Sequence, residues 1–183
     1  MKEILLCVFV MCIVSCNNTT INKHPIIVMK TNMGTIEITL DAEKAPVTVQ
    51  NFLSYAEESF YDSTIFHRVI PRFMIQGGGF DVFMKEKVTK PPIKNESGNG
   101  LTNKRGSIAM ARRSDLNSAT CQFYINHRNN YQLDEMKYAV FGEVTNGIDV
   151  VDKIANVETR NMGGGFQNIP VKSVVIESVK IKK

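Results

Sequence analysis

The stretch FHRVIPRFMIQGGGF, residues 66–80, decides how the fold of this chain is interpreted. It contains two short apolar runs, residues 66–70 and 73–75, whose pattern predicts two short strands. Pro71 lies between the runs, where its fixed φ suits the first central position of a turn. Glycines 77–79 end the second strand and permit a close approach of the backbone to another group.

Arg68 is the unusual residue of this stretch. Strand alternation predicts that Phe66, Arg68 and Ile70 share one face, and that Met74 and Gln76 share a face of the second strand. A cation in the middle of an apolar strand is either an exposed edge residue or a placed functional group. The pattern by itself favours the exposed edge residue, so other segments must decide.

The chain has 183 residues and a net charge of +4, from 22 basic and 18 acidic side chains. This length predicts a single domain with a sizeable core, plus terminal extras. The basic residues are spread along the chain without a dense tract, so nucleic-acid binding is not supported.

The first residues have the composition of an export signal. Lys2 precedes an apolar run over residues 4–14, which is too short to span a bilayer but fits a signal-peptide core. Residues 13–16, IVSC, resemble a bacterial lipobox, in which the cysteine carries the lipid. An ordinary secretory signal with an incidental cysteine is the alternative.

These features predict three parts of the chain. Residues 1–15 form a lipoprotein signal peptide, and Cys16 becomes the lipidated first residue of the mature protein. Residues 16–25 form a polar tether, and residues 26–183 form the folded domain. The protein is therefore expected to be exported and lipid-anchored to a bacterial membrane, on the periplasmic side or at the cell surface.

Cys121 is the one cysteine outside the leader, so an intrachain disulfide in the folded domain is not expected. A nucleophile paired with His67 or His127 is conceivable, but a buried structural cysteine is the favoured interpretation. The histidines show no metal-ligand spacing, and glycines 77–79 lack the context of a dinucleotide site.

The pattern of the remaining sequence predicts many strands and two helices. Residues 26–31 and 35–40 predict a hairpin, and residues 45–60 and 147–155 predict amphipathic helices. Further strands are predicted over residues 106–111, 122–126, 138–144 and 171–182. This arrangement predicts an antiparallel barrel or sandwich with helices over its ends.

The opening stretch resembles the signature of the cyclophilin family of peptidyl-prolyl cis–trans isomerases. Three further stretches resemble bacterial cyclophilins in the same order: PPIKNESGNGLTNKRGSIAMAR at 91–112, LNSATCQFYIN at 116–126 and YAVFGEVTNGIDVVDKI at 138–154. The similarity extends over roughly residues 26–182, which is nearly the whole predicted domain.

The resemblance implies a mainly β fold, a closed eight-stranded antiparallel β-barrel capped by two α-helices. It implies an isomerase that rotates Xaa-Pro bonds and needs no cofactor and no metal. The implied partners are proline-containing, unfolded or flexible polypeptides, and the chain is expected to be a monomer. The role expected of an exported isomerase is to assist the folding of exported proteins.

The resemblance also assigns site residues by position. Those with a catalytic role are Arg68, Phe73 and Gln76. Those that bind substrate are Met74, Ala111, Arg112, Gln122, Tyr124, Leu133 and Tyr138. Within this set the family's proline pocket corresponds to Phe73, Met74, Tyr124 and Leu133.

Four positions depart from the family pattern, and one of them is Gln132, which lies near the place where eukaryotic members carry tryptophan. Tyr124 stands where phenylalanine is usual, so its hydroxyl must reach water or a partner. Arg112 replaces an asparagine, and Tyr138 replaces the histidine of eukaryotic members. These departures keep open a non-catalytic, chaperone-like lipoprotein or binding module that holds proline-containing segments without turnover.

Overall fold

The computed structural model describes residues 22–182. The predicted signal peptide, the lipidation site at Cys16 and the first part of the tether lie outside these residues. The strands are β1 (Ile26–Thr31), β2 (Gly34–Leu40), β3 (Thr64–Ile65), β4 (Arg68–Ile70), β5 (Met74–Gly77), β6 (Ser107–Met110), β7 (Phe123–Asn126), β8 (Val140–Asn146), β9 (Thr159–Arg160), β10 (Ile169–Pro170) and β11 (Val175–Ile181). The helices are α1 (Pro46–Glu57), α2 (Gln132–Glu135) and α3 (Ile148–Ala155).

Nine of the strands form one antiparallel sheet in the order β3-β11-β1-β2-β8-β6-β7-β5-β4, and β9 pairs with β10 in a separate ribbon. The predicted hairpin is confirmed, since β1 and β2 pair around Asn32-Met33 with Thr31 opposite Gly34. The predicted longer helices are confirmed as α1 and α3, with ends that differ by at most three residues. The short helix α2 was not predicted. No helix in the described part of the chain is long and apolar enough to cross a membrane.

The sheet curls, but a continuous ladder does not close it. Its edge strands β3 and β4 follow each other in the chain, separated by Phe66 and His67. Individual backbone bonds join the edges near this break, such as the one that the Ile65 amide donates to the Phe80 carbonyl at 3.0 Å. The mainly β antiparallel fold is therefore confirmed, whereas the closed eight-stranded barrel is better described as a curled nine-stranded sheet.

The break between β3 and β4 also corrects the predicted faces of the opening stretch. Phe66 and Val69 are both fully buried in the main core, whereas Arg68 and Ile70 are half-buried. Phe66 therefore does not share a face with Arg68. The reason is that Phe66 and His67 leave strand geometry, which shifts the alternation before Arg68.

The main apolar core fills the concave side of the curled sheet. Helix α1 inserts Phe52 into it, with its ring centroid 5.6 Å from that of Phe123 and 5.4 Å from that of Phe141. Helix α3 buries Val151 and Ile154 in the same core. Burial of such side chains stabilises the domain by about 1.5–3 kcal/mol each relative to exposure, in a fold without a disulfide among its described residues.

Gly142 provides a test of this packing, because β8 passes very close to β2 there. A Cβ atom at position 142 would lie 2.6 Å from the Thr39 carbonyl oxygen and 3.0 Å from Leu40 Cα. We expect Gly142→Ala to lower the free energy of unfolding by about 2–3 kcal/mol, measured by urea denaturation. The matched control is Gly163→Ala, which meets nothing within 4 Å and should change stability by less than about 0.5 kcal/mol. Equal stability of the two variants would contradict the tight pairing of β2 with β8.

Candidate active site

Nine of the ten sequence-predicted site residues line one cavity on the face of the sheet opposite to the main core. The cavity has a volume of about 150 Å³ and is lined by Arg68, Phe73, Met74, Gln76, Ala111, Arg112, Tyr124, Leu133 and Tyr138. The remaining predicted residue, Gln122, lines a neighbouring cavity of about 310 Å³ that shares Gln76, Ala111 and Arg112 with the first. The structure thus brings all ten residues into one continuous groove, while their individual roles stay predictions.

Strand pairing brings the polar end of the site together. Arg68 on β4 lies opposite Gln76 on β5, and its Nη1 donates to the Gln76 Oε1 at 3.4 Å. Gln76 in turn donates through Nε2 to the Gln122 Oε1 at 3.0 Å. Although β4 is an edge strand, Arg68 is half-buried in the cavity wall. Its guanidinium is therefore held in a row of side chains and is not a freely exposed surface group.

The glycines after β5 make room for this row. A Cβ atom on Gly79 would lie 2.5 Å from the Cγ and 2.7 Å from the Nε2 of Gln122, so only glycine lets Gln122 lie where it does. Gly78 has a φ of +85°, in the left-handed region that favours glycine. The predicted close approach at glycines 77–79 is confirmed, and at Gly79 the approaching group is a side chain of the site.

The apolar end of the cavity belongs to a second cluster, separate from the main core. Its buried members are Met74, Ala109, Tyr124, Leu133 and Val140, and Phe73 and Tyr138 pack against it. The separation follows from strand alternation, because Ile75 and Phe123 point to the main core while Met74 and Tyr124 point away from it. The face predicted for Met74 and Gln76 on β5 is confirmed.

Tyr124 keeps its hydroxyl out of the cavity. The hydroxyl donates to the Oδ1 of Asn103, a fully buried side chain, at 2.7 Å. Burial raises the pKa of Tyr124 well above its ordinary value, with smaller contributions from Tyr138 and Asp134. The hydroxyl therefore stays protonated and remains a donor. Asn103 was missed in the sequence because nothing marks an asparagine in a polar loop as buried.

Arg112 forms the rim of the cavity with Tyr138. Its guanidinium carbon lies 4.4 Å from the centroid of the Tyr138 ring, which is a cation–π arrangement. Nη1 donates to the Arg113 carbonyl at 2.9 Å, and Nη2 donates to the carbonyl of Met136 beyond α2. The arginine that replaces the family asparagine is thus fixed at the rim by backbone contacts.

His67 contributes no charge to the site at neutral pH. Burial, and secondarily the positive charge of Arg68, lowers the pKa of His67 to about 4. The ring lies against Phe80, at 4.7 Å between centroids, and its Nδ1 has no hydrogen-bond partner among residues 22–182. The neighbour of Arg68 in the sequence is therefore a neutral side chain at neutral pH.

Cys121 has the environment of a structural residue. It lies in the main core with 1 % of its surface exposed, and burial raises the pKa of its thiol to about 11. A thiol with such a pKa is protonated at neutral pH and is a poor nucleophile. Within residues 22–182, no cluster of His, Cys, Asp or Glu side chains is arranged to hold a metal ion.

Comparison with known proteins identifies relatives along the whole described domain. The family model described as "Cyclophilin type peptidyl-prolyl cis-trans isomerase/CLD" matches residues 26–181. The chain is 58% identical over 158 residues to a peptidyl-prolyl cis-trans isomerase of Acinetobacter baylyi, covering 84% of each protein. It is 52% identical over 160 residues to peptidyl-prolyl cis-trans isomerase B of Escherichia coli, covering 84% of this chain and 97% of that protein.

The fold has counterparts among solved structures. A crystal structure of a cyclophilin-type peptidyl-prolyl cis-trans isomerase from Cryptosporidium parvum superposes with a TM-score of 0.75. The match covers 87% of this chain and 98% of that one at 23% sequence identity, so it is a likeness of fold.

The lowered pKa of His67 predicts an acid-sensitive fold. The unfolded chain takes up a proton at His67 near its ordinary pKa of 6.5, whereas the folded chain takes it up only near 4. The free energy of unfolding should therefore fall as the pH drops through this window, by about 2 kcal/mol between pH 7 and pH 5 from this group. Urea denaturation at the two pH values should show that the free energy of unfolding falls by about 2 kcal/mol less in His67→Phe than in the wild type. An equal fall in the free energy of unfolding in the wild type and in His67→Phe would contradict the lowered pKa of His67.

Proposed function

Because this chain belongs to the cyclophilin-type peptidyl-prolyl cis-trans isomerases, we propose that the groove around Arg68 is its active site and that exported polypeptides are its substrates. As an isomerase of this family, the protein accelerates rotation about the peptide bond that precedes proline. The observation that carries the assignment is the row of Arg68, Gln76 and Gln122 beside an apolar cavity.

The reaction breaks amide resonance and no covalent bond. Rotation about a peptide bond has a barrier of about 18–20 kcal/mol, and uncatalysed exchange at Xaa-Pro takes tens to hundreds of seconds. In the twisted state the prolyl nitrogen loses conjugation and can accept a hydrogen bond. An enzyme therefore gains rate by offering a donor to that nitrogen in the twisted state, and no chemical group is transferred.

Arg68 is the donor that we assign to this step. A guanidinium stays charged throughout the working pH range and has several N–H groups, so one can bind Gln76 while others face the cavity. A charge-assisted hydrogen bond made only in the transition state is worth about 1.5–3 kcal/mol, or roughly ten- to a hundredfold in rate. The link from Gln76 to Gln122 fixes the direction of the donor before substrate arrives.

The apolar cavity binds the proline ring. Met74, Tyr124 and Leu133 are between 2% and 7% exposed, so they form a firm floor. The half-buried Phe73 lines the same cavity. We assign the neighbouring groove at Ala111, Arg112 and Gln122 to the peptide backbone around the proline. Holding the ring while the preceding carbonyl turns is what rotation requires.

The non-catalytic binding module has less support than the enzyme. Simple retention of a proline segment does not need a cation inside the apolar groove, yet Arg68 lies in the cavity wall and is oriented by Gln76. The named relatives at 52–58% identity are isomerases. Neither Tyr124 nor Arg112 blocks the cavity, since the first turns its hydroxyl to Asn103 and the second lies along the rim.

The cellular setting that we propose rests on the leader sequence. A lipid at Cys16 would hold the domain at a membrane through the polar tether of residues 16–25. A monomer on such a tether reaches newly exported chains whose Xaa-Pro bonds are still accessible. The substrates are accordingly unfolded or flexible polypeptides that contain proline.

Arg68→Ala tests the catalytic assignment. We expect kcat to fall by about ten- to a hundredfold while KM changes little, because the lost hydrogen bond belongs to the transition state. The measurement is isomerisation of an Xaa-Pro peptide, followed by a protease-coupled assay and by NMR exchange. Arg160→Ala is the control, since Arg160 is an exposed arginine on β9 outside the groove. Unchanged kcat in Arg68→Ala would remove Arg68 from the mechanism.

Cys16→Ala tests the anchor. Labelled palmitate should enter the wild-type protein and not the variant, and the variant should leave the membrane fraction, because it lacks the lipidated residue. Cys121→Ala is the matched control, since Cys121 lies in the core and should not affect labelling. Label in Cys16→Ala equal to that in the wild type would exclude lipidation at this position.

A further inference from the structure

We propose that Asn103 is a positioning residue for the proline pocket, in that one buried amide holds the ring of Tyr124 and the helix that carries Leu133 in a fixed relation. The inference rests on the proposed function of the cavity as the proline site. Asn103 itself does not line the cavity, so it acts through its neighbours.

The polar atoms of the Asn103 side chain bind two separate elements of the pocket. The Oδ1 accepts from the Tyr124 hydroxyl at 2.7 Å and from the Asn126 Nδ2 at 3.0 Å, which uses both lone pairs. The Nδ2 donates to the Asp134 Oδ1 at 2.6 Å, and the backbone amide donates to the same oxygen at 2.9 Å. With 0% of its surface exposed, Asn103 has no access to bulk water.

Asp134 sets the orientation of this amide. An ionised carboxylate only accepts hydrogen bonds, so the NH₂ group of Asn103 must face Asp134 and its carbonyl must face Tyr124. Tyr124 stays protonated in its buried site and is the donor in that contact. The Asp134 carboxylate on α2 therefore orients the Asn103 amide, and this amide holds the Tyr124 ring at the floor of the cavity.

Two more buried asparagines extend the same network to Phe73. Asn130 donates through Nδ2 to the Asn126 Oδ1 at 2.7 Å and to the Phe73 carbonyl at 2.8 Å. Asn126 also donates to the Ser107 Oγ at 2.9 Å. The network therefore reaches β7, α2 and the start of β5, which are the three segments that form the apolar part of the cavity.

Sheet pairing fixes β5 against β7, but α2 lies outside the sheet and is not held by it. Helix α2 has four residues and contributes Leu133 alone to the buried apolar cluster, and the Asp134 carboxylate joins it to Asn103 through two hydrogen bonds. If Asn103 is removed, the Tyr124 hydroxyl loses its acceptor in a buried place, which is unfavourable. The ring is then expected to turn its hydroxyl toward the cavity, the nearest space that water can reach.

Such a displacement weakens contact with the proline ring in the ground state and in the transition state alike. A loss of uniform binding raises KM and leaves kcat nearly unchanged. A general loss of stability has the opposite signature, because it lowers the concentration of active enzyme and so the apparent kcat. The split between the two parameters therefore separates a positioning role from a purely structural one.

The experiment is a double-mutant cycle between Asn103→Ala and Tyr124→Phe, with KM and kcat measured on an Xaa-Pro peptide. We expect Asn103→Ala to raise KM by about five- to tenfold and Tyr124→Phe by less than about twofold. In the Tyr124→Phe background, Asn103→Ala should raise KM by less than about twofold, because no hydroxyl is left without an acceptor. Additive effects of the two changes would overturn the proposal.

Ser107→Ala is the matched control inside the same network. Ser107 is buried and accepts from Asn126, but it contacts neither Tyr124 nor Asp134. We expect a lower Tm in this variant and an unchanged KM. A rise in KM equal to that of Asn103→Ala would show that general loosening of the network, and not the position of Tyr124, controls binding.

Asp134 offers a second route that leaves the interior intact if Asn103→Ala folds poorly. Asp134→Ala removes the acceptor that orients the amide and should raise KM by about threefold, whereas Asp134→Asn keeps an acceptor oxygen and should restore KM to within about twofold. Equal KM in these two variants and the wild type would contradict the positioning role. Leu133→Ala distinguishes failure of the positioning role of Asn103 from failure of the proposed proline site. An unchanged KM in Leu133→Ala would reject the cavity as the proline site itself.

Discussion

The pairing of β5 with β7 is the constraint on which the site depends. Its register sets Gln76 opposite Tyr124 and Ile75 opposite Ile125. Because strand side chains alternate, one row enters the main core and the other row builds the cavity. A slip of one residue would send Met74 and Gln76 into the core and leave no pocket. The proposed active site and the main core are therefore determined by the same ladder of backbone hydrogen bonds.

The site combines a polar row of Arg68, Gln76 and Gln122 with an apolar floor. Residues outside the cavity hold each of these two parts in place. Glycine at position 79 lets Gln122 lie against the backbone, where it can orient Gln76. On the other side, buried asparagines replace the water that the hydroxyl of Tyr124 would otherwise need. Preorganised donors cost little reorganisation when the amide twists, which suits a reaction without a covalent intermediate.

Charge is distributed so that the reacting centre keeps one cation on the β4 side. His67 is next to Arg68 in the sequence but is buried and neutral, with its pKa lowered to about 4. Arg112 stands at the opposite rim, stacked on Tyr138 and bound to carbonyls of its own loop and of the residues after α2. The ion pairs of the domain lie elsewhere, largely on exposed surfaces where solvent screens them and each contributes little to stability.

The sequence by itself determined the β1–β2 hairpin, the two longer helices, the family and the set of residues that line the groove, since alternation and four ordered motifs are local properties of the chain. It placed Met74 and Gln76 on one face, because a period of two needs no tertiary information. It could not place Phe66, since the break at Phe66 and His67 depends on how the sheet curls. Only the tertiary structure decided that Asn103 meets Tyr124 and Asp134, because burial of a loop asparagine arises from the packing of segments distant in sequence.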